Sequence, residues 1–174
     1  HHVEVITSCA ADYRTWENEI AAGTSVLNGV IVHRLPVASP RIEEEFSPYQ
    51  RRTFFGPRPM STEFQHTWSQ KMGPSLQGYQ DWLLQNYDRF DVAVCMTYLY
   101  YTTTTALPVL YKRLPIVMQP TAHSESEIWM SLFDFLFSMP DAFLFLTPEE
   151  QDLVRKRFNS EPSGQVVGIG FQQS

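Results

Sequence analysis

A chain of 174 residues is long enough for one domain with a sizeable core and too short for two of ordinary size. Its formal net charge of -6 excludes a general nucleic-acid binder, which needs surplus Lys and Arg to displace counterions from phosphates. No apolar run reaches the length of a bilayer span, and the first residues lack the charged-then-apolar layout of a signal peptide.

Cys9 and Cys95 are far apart in sequence and belong to no Cys/His array, so they read as reduced, buried thiols of a cytoplasmic protein. Residues 3–7 are rich in β-branched side chains and predict a strand, with 8–12 as its carboxyl-end loop. Asp12, Tyr13 and Trp16 follow. Aromatics flanked by polar groups there either line a cleft for a sugar or ring, or anchor the loop to the core. Asn28-Gly29 between two β-branched runs predicts a β-hairpin over 23–36. From 36 to 59 the chain carries Arg41, Arg51, Arg52 and Arg58 among Phe46, Tyr49, Phe54 and Phe55. That segment is either a mobile flap that meets an anionic or lipidic acceptor, or a solvated helix-loop excursion over the core.

Helical spacing predicts helices over 61–70 and 74–87, the second with Pro74 in its first turn. Residues 92–96 predict a strand covered on both faces. Its carboxyl end runs into Tyr98, Tyr100, Tyr101 and Thr102, which offer hydroxyls and ring faces to a polar ligand. A helix over 103–112 then leads to a strand at 116–118 that closes at Pro120. His123 stands at that strand's carboxyl end. Behind it, Ser124, Glu125, Ser126 and Glu127 have the form of a capping box opening a helix over 125–138. In open parallel sheets ligands lie at this edge, and a helix amino terminus adds free N–H donors for an anion. An imidazole there can donate to, or accept from, whatever enters; the plainer alternative is a surface or satisfied core histidine.

Residues 142–146 predict another covered strand, Thr147, Pro148 and Glu150 cap a helix over 148–158, and 165–170 make a last strand. Glu149 lies near the inferred ligand edge, although the helix macrodipole alone accounts for an acid at that position. Strands and helices alternate from about residue 61, the mark of a Rossmann-like α/β domain with a mainly parallel sheet covered on both faces. A dinucleotide fingerprint, a Walker motif and a nucleophile elbow are absent from the sequence, and His33, His66 and His123 have no metal-ligand spacing, so neither cofactor nor metal is expected.

The motifs taken together resemble the amino-terminal domain of bacterial family 4 glycosyltransferases. They are the run 2–7 with Cys9, Asp12, Tyr13, Thr15, Trp16 and Asn18; Asn28, Gly29, Arg34 and Pro36; 97–101; 120–123; 146–150; and 167–170. The resemblance covers nearly the whole chain. It implies the acceptor-side, Rossmann-like, three-layer half of a two-domain GT-B enzyme that transfers a sugar with retention of anomeric configuration, without metal, from a nucleotide-sugar donor to a carbohydrate, lipid or small-molecule acceptor. It also implies a strand, Gly-rich loop and helix before His1, and a donor-binding domain after Ser174.

In that family a histidine matching His123 lies beside the transferred sugar and is the catalytic residue of this half. The resemblance turns Tyr98, Tyr100, Tyr101 and Thr102 toward the acceptor and makes Gly168 and Gly170 the lead into a hinge; Ser124, Glu125, Glu149, Asp12 and Tyr13 are further candidate substrate contacts by their places in loops and helix starts at the sheet's carboxyl edge. Relatives often have an acid after the histidine where this chain has Ser124. A peripheral protein at the inner face of the membrane, using the Arg/Phe segment at 51–58, is a separate reading. The competing reading is a non-catalytic Rossmann-like ligand-binding module.

Overall fold

The computed structural model describes residues 2–170; His1 and residues 171–174 lie outside them. Strand β1 (Glu4–Ser8) is followed by a long loop and by the expected hairpin of β2 (Gly23–Leu27) and β3 (Val30–Leu35). Asn28 and Gly29 take φ of 51° and 82°, the left-handed pair that brings two strands back with the right twist. β3 runs antiparallel to β2 and parallel to β1, giving a sheet of order β1-β3-β2.

Three helices come next: α1 (Glu43–Phe55), α2 (Thr62–Met72) and α3 (Tyr79–Asn86). Ser61 caps α2 by accepting from the Phe64 N–H. The predicted helix at 74–87 begins five residues late, because Leu76 is taken up in a bridge to Val37 and Gly78, at φ 68°, turns the chain into α3.

Then β4 (Ala93–Met96), α4 (Tyr101–Leu110), β5 (Ile116–Gln119), α5 (Ser131–Leu136), β6 (Ala142–Phe145), α6 (Pro148–Phe158) and β7 (Gly164–Val166) form repeated βα units. Their strands make a second, all-parallel sheet in the order β4-β5-β6-β7. The chain is therefore an α/β protein with a Rossmann-like four-stranded parallel unit. Among the described residues, no helix is long and apolar enough to cross a membrane.

Two expectations fail here for a topological reason. The sheet is not continuous: β1 and β4 each have a strand on one side only. Nor is the parallel sheet covered on both faces. Strands added in one direction through right-handed crossovers send every connecting helix to the same side. Cys95, Ile116, Met118, Phe143 and Phe145 are accordingly buried with Leu107, Phe133 and Val154 of the helices. Val94 and Met96, pointing the other way, are 56% and 59% exposed.

The helix predicted over 125–138 is broken into a 3-10 turn, Glu127–Trp129, and α5. Met130 between them is extended, and the Gln65 side chain accepts from the Leu132 N–H, taking the role of a cap supplied from α2. The capping box at 124–127 does not form, since the Glu127 carboxylate accepts from the Gln50 side chain of α1. The last strand stops at Val166 rather than continuing to Gly170.

The core gathers around Trp68, Tyr98, Phe133, Phe145 and Met118, all at most 1% exposed. The Trp68 indole N–H donates to Gln50 Oε1 at 3.0 Å, so its polar edge is satisfied where water cannot reach. Both cysteines are buried and free, and burial pushes the Cys95 thiol up to about 12.

Candidate functional site

The carboxyl ends of β4, β5 and β6 are joined by short contacts between their loops. Thr97 N–H donates to Gln119 O at 2.9 Å and Tyr98 N–H to Pro120 O at 3.0 Å. The two threonines that follow these strands, Thr97 and Thr121, have φ of 64° and 53°. A β-branched residue in the left-handed region is a true outlier costing about 1–3 kcal/mol, and the surrounding structure must hold it there. The holding contacts are visible. Thr121 Oγ1 donates to Thr97 Oγ1 at 3.1 Å, so the two strained turns brace one another.

A second brace comes from α6. Glu150, buried in its first turn, accepts from the Ala122 N–H and the Leu146 N–H at 2.6 Å each. Its own N–H donates to the Thr147 hydroxyl, as the sequence predicts for that cap. One carboxylate thus ties the loop after β5 to the loop after β6.

His123, next to Ala122, is exposed and makes no side-chain hydrogen bond with the protein among the described residues. Its backbone carbonyl accepts from the Glu125 N–H at 2.8 Å. The site is therefore an exposed imidazole without a side-chain partner on a rigidly held backbone, at the sheet edge where open α/β folds place ligands. The helix amino terminus expected beside it is absent, because only a single 3-10 turn follows. Anion binding by a helix dipole has no basis at this loop.

Tyr98 is not a ligand-facing residue. Its ring lies 1% exposed between Phe133 and Phe137, with centroids 4.7 and 5.6 Å away, and its hydroxyl donates to Glu125 Oε1 at 2.5 Å. Burial first, and then this bond to a carboxylate, push the Tyr98 phenol well above its ordinary range. Glu125 is thereby fixed from below and half-buried, with Ser124 exposed before it. Beneath them Glu127 has its Oε2 without a partner, and burial, with the Glu125 charge adding to it, raises its carboxyl above the ordinary value.

Tyr100 and Tyr101 open α4 and are half-buried, as is Thr102. Tyr100 meets Trp16 edge to face at 5.4 Å. Trp16 settles the alternatives for its loop in favour of an anchor: it is buried, its indole donates to Met72 O at 2.9 Å, and Arg41 lies over its ring. Asp12 closes the turn by accepting from the Arg14 N–H, while Tyr13 projects into solvent. Glu149 is exposed at the start of α6. Gly168, at φ 69°, and Gly170 follow β7 in irregular chain.

The structure thus brings His123, Ser124 and Glu125 together over the carboxyl ends of β4 and β5. It places Tyr98 beneath them and Tyr100, Tyr101, Asp12 and Tyr13 on the neighbouring loop cluster. Glu150 is what the sequence reading missed: the Thr147-Pro148 cap marked it as a helix-start acid and gave no sign of its reach across to Ala122. Among the described residues, no cluster of three or more His, Cys, Asp or Glu side chains is arranged to hold a metal ion. No protein-family model matches the sequence, and no curated protein matches it either.

Proposed function

We propose that this chain is the acceptor-side domain of a retaining GT-B glycosyltransferase, in which an acceptor hydroxyl displaces the nucleoside diphosphate of a sugar donor. The bond from the acceptor oxygen to the anomeric carbon forms on the face from which the diphosphate leaves, so configuration is kept, and the acceptor's proton passes to the departing diphosphate oxygen. The observation that carries the reading is the strained, doubly braced turn that presents an exposed imidazole at the carboxyl edge of a parallel sheet. Backbone strain of this kind is retained where a loop has to hold one geometry, and the geometry here aims His123 outward with its ring nitrogens free. In the transition state such a ring stabilises a sugar hydroxyl that a flexible side chain would not hold.

The break between β1 and β4 supports the same reading. Classical dinucleotide-type sheets run 3-2-1-4-5-6, with the first strand in the middle. If β1 and β3 stand as the second and third strands and β4 onward as the fourth and later ones, the strand that the family resemblance puts before His1 belongs in that break. Ser124, Glu125, Tyr100 and Tyr101 would then contact substrate, and Tyr98 would act as a positioning residue through Glu125.

The test is His123→Ala in the complete enzyme, assayed for release of nucleoside diphosphate from a panel of UDP- and GDP-hexoses. Turnover falls at least tenfold if the imidazole acts in the transition state. A variant with wild-type turnover overturns the assignment.

A further inference from the structure

The segment between the hairpin and α2 is not absorbed by the site. From residue 46 to residue 62 the chain carries no acidic residue, although the whole sequence has 19, and this stretch holds Arg51, Arg52 and Arg58. In the structure it forms most of α1 and the turn after it. Phe46 and Thr53 are the buried side chains of α1. At about 100° per residue, Arg51, Arg52, Phe54 and Phe55 fall within roughly 160° of arc on the side away from Thr53. Phe55 is 87% exposed, the largest value for any bulky apolar residue described, and Phe54 is half exposed.

The patch extends onto a second element. Arg58 donates to the carbonyls of Thr53, at 3.2 Å, and Ser126, at 2.8 Å, and borders one shallow surface cavity with the half-exposed Trp129. Arg58 and Trp129 thus adjoin the carboxyl end of α1, whose exposed face carries Arg51, Arg52, Phe54 and Phe55. Arg89, Arg155, Arg157 and Lys71 are paired with carboxylates; Arg51, Arg52 and Arg58 form no ion pair among the described residues, as is also true of Arg14, Arg34, Arg41, Lys112, Arg113 and Lys156, but only these three are interleaved with exposed Phe54 and Phe55. Of the acids beside Arg58, Glu125 accepts from Tyr98 and Glu127 from Gln50, while the exposed Glu63 adjoins Phe64, over whose ring Arg52 lies at 5.5 Å. The exposed acids of α1, Glu43, Glu44 and Glu45, lie at its opposite end, roughly 15 Å away along the axis.

We infer that this surface docks the protein on an anionic lipid bilayer. Phe54, Phe55 and Trp129 enter the headgroup boundary and the three arginines meet lipid phosphates. Charge complementarity selects this occupant: unpaired cations interleaved with projecting aromatics on an acidic protein match a negative, deformable, apolar-backed surface. The acidic end of α1 is repelled from that surface and fixes the tilt. The inference does not depend on the transferase reading: Arg51, Arg52, Phe54 and Phe55 lie outside the His123 loop, and Arg58 alone meets it, through the Ser126 carbonyl and the cavity it shares with Ser124 and Glu125.

The experiment is co-sedimentation of the full chain with phosphatidylcholine vesicles with and without phosphatidylglycerol, at low and high salt. Binding is expected only to the anionic vesicles and only at low to moderate salt. Each arginine near such a surface contributes about fivefold, so Arg51→Gln/Arg52→Gln lowers partitioning about 25-fold. Phe54→Ser/Phe55→Ser lowers it at least tenfold, and both pairs are solvent-facing, so circular dichroism should report an unchanged fold. Wild-type protein that ignores anionic vesicles, or variants that bind as well as wild type, overturn the proposal. A dimer abolished by Phe54→Ser/Phe55→Ser, with no vesicle binding, assigns the patch to a second copy and overturns it too.

Discussion

Removing the Glu150 carboxylate should loosen the His123 loop more than any other single change at the surface of the sheet's carboxyl edge. In Glu150→Ala the Ala122 and Leu146 N–H groups, now 2.6 Å from a charged acceptor, lose it in surroundings that admit little water. A hydrogen bond to a charged group contributes roughly 1.5–3 kcal/mol, so losing two costs about 3–6 kcal/mol, a large part of the roughly 5–15 kcal/mol that holds a domain together. Glu150→Gln keeps one acceptor oxygen but sets an amide NH2 against the other N–H, so it should cost about half as much. With a slope of about 2 kcal/mol per molar urea, the midpoint should fall by about 1.5–3 M for the alanine variant. Amide exchange gives the local readout: Ala122 and Leu146 should lose protection while the β5 and β6 interior amides keep theirs. A loss below about 1 kcal/mol, or unchanged protection at both amides, would refute the bracing role.

Two further outcomes test the packing and the electrostatics. Gly164 in β7 should not tolerate a methyl group, because a Cβ there would lie 2.5 Å from the Phe143 carbonyl oxygen and 2.9 Å from its Cβ; Gly164→Ala should destabilise by about 1–3 kcal/mol in the same urea assay. Glu127, whose folded-state carboxyl is raised by burial, contributes stability that is present below its ordinary value near 4.5 and is lost as pH rises through the raised value. Glu127→Gln should therefore flatten the stability profile between about pH 4.5 and the raised value, and a variant whose profile parallels wild type there would contradict the assignment.

The parts of the fold with local causes were legible in the sequence. Asn28-Gly29 specified its hairpin, Ser61 and Thr147 their helix starts, and the apolar runs at 92–96, 116–118 and 142–146 their strands to within a residue at each end, because each signal acts within a few residues. The misreadings share one origin, a long-range partner that outcompeted a local preference. Ser124 to Glu127 has the composition of a capping box, yet Gln50 takes the Glu127 carboxylate and Gln65 supplies the cap for α5. Tyr98 reads as one of several tyrosines at a strand end, and only the packing of Phe133 and Phe137 around it makes it a core residue. The site was half legible. His123 stands out by its position after a predicted strand, whereas the left-handed Thr97 and Thr121 carry no sequence mark, since threonine is not a residue that favours that conformation.

The uncovered face of the parallel sheet bears on all of this. A monotonic strand order places α4, α5 and α6 on one side, and the same order leaves Val94 and Met96 in water on the other. Exposed apolar side chains on a sheet face, beside two strand edges without neighbours, mark a surface open to further packing. The loops after β4, β5 and β6 nevertheless keep their strained geometry, because the braces that hold them, Thr97 to Thr121 and Glu150 to Ala122 and Leu146, lie within the four-stranded unit itself. The carboxyl-edge site therefore depends on the unit from β4 to α6, and completion of the uncovered face should change the stability of the sheet far more than the position of His123.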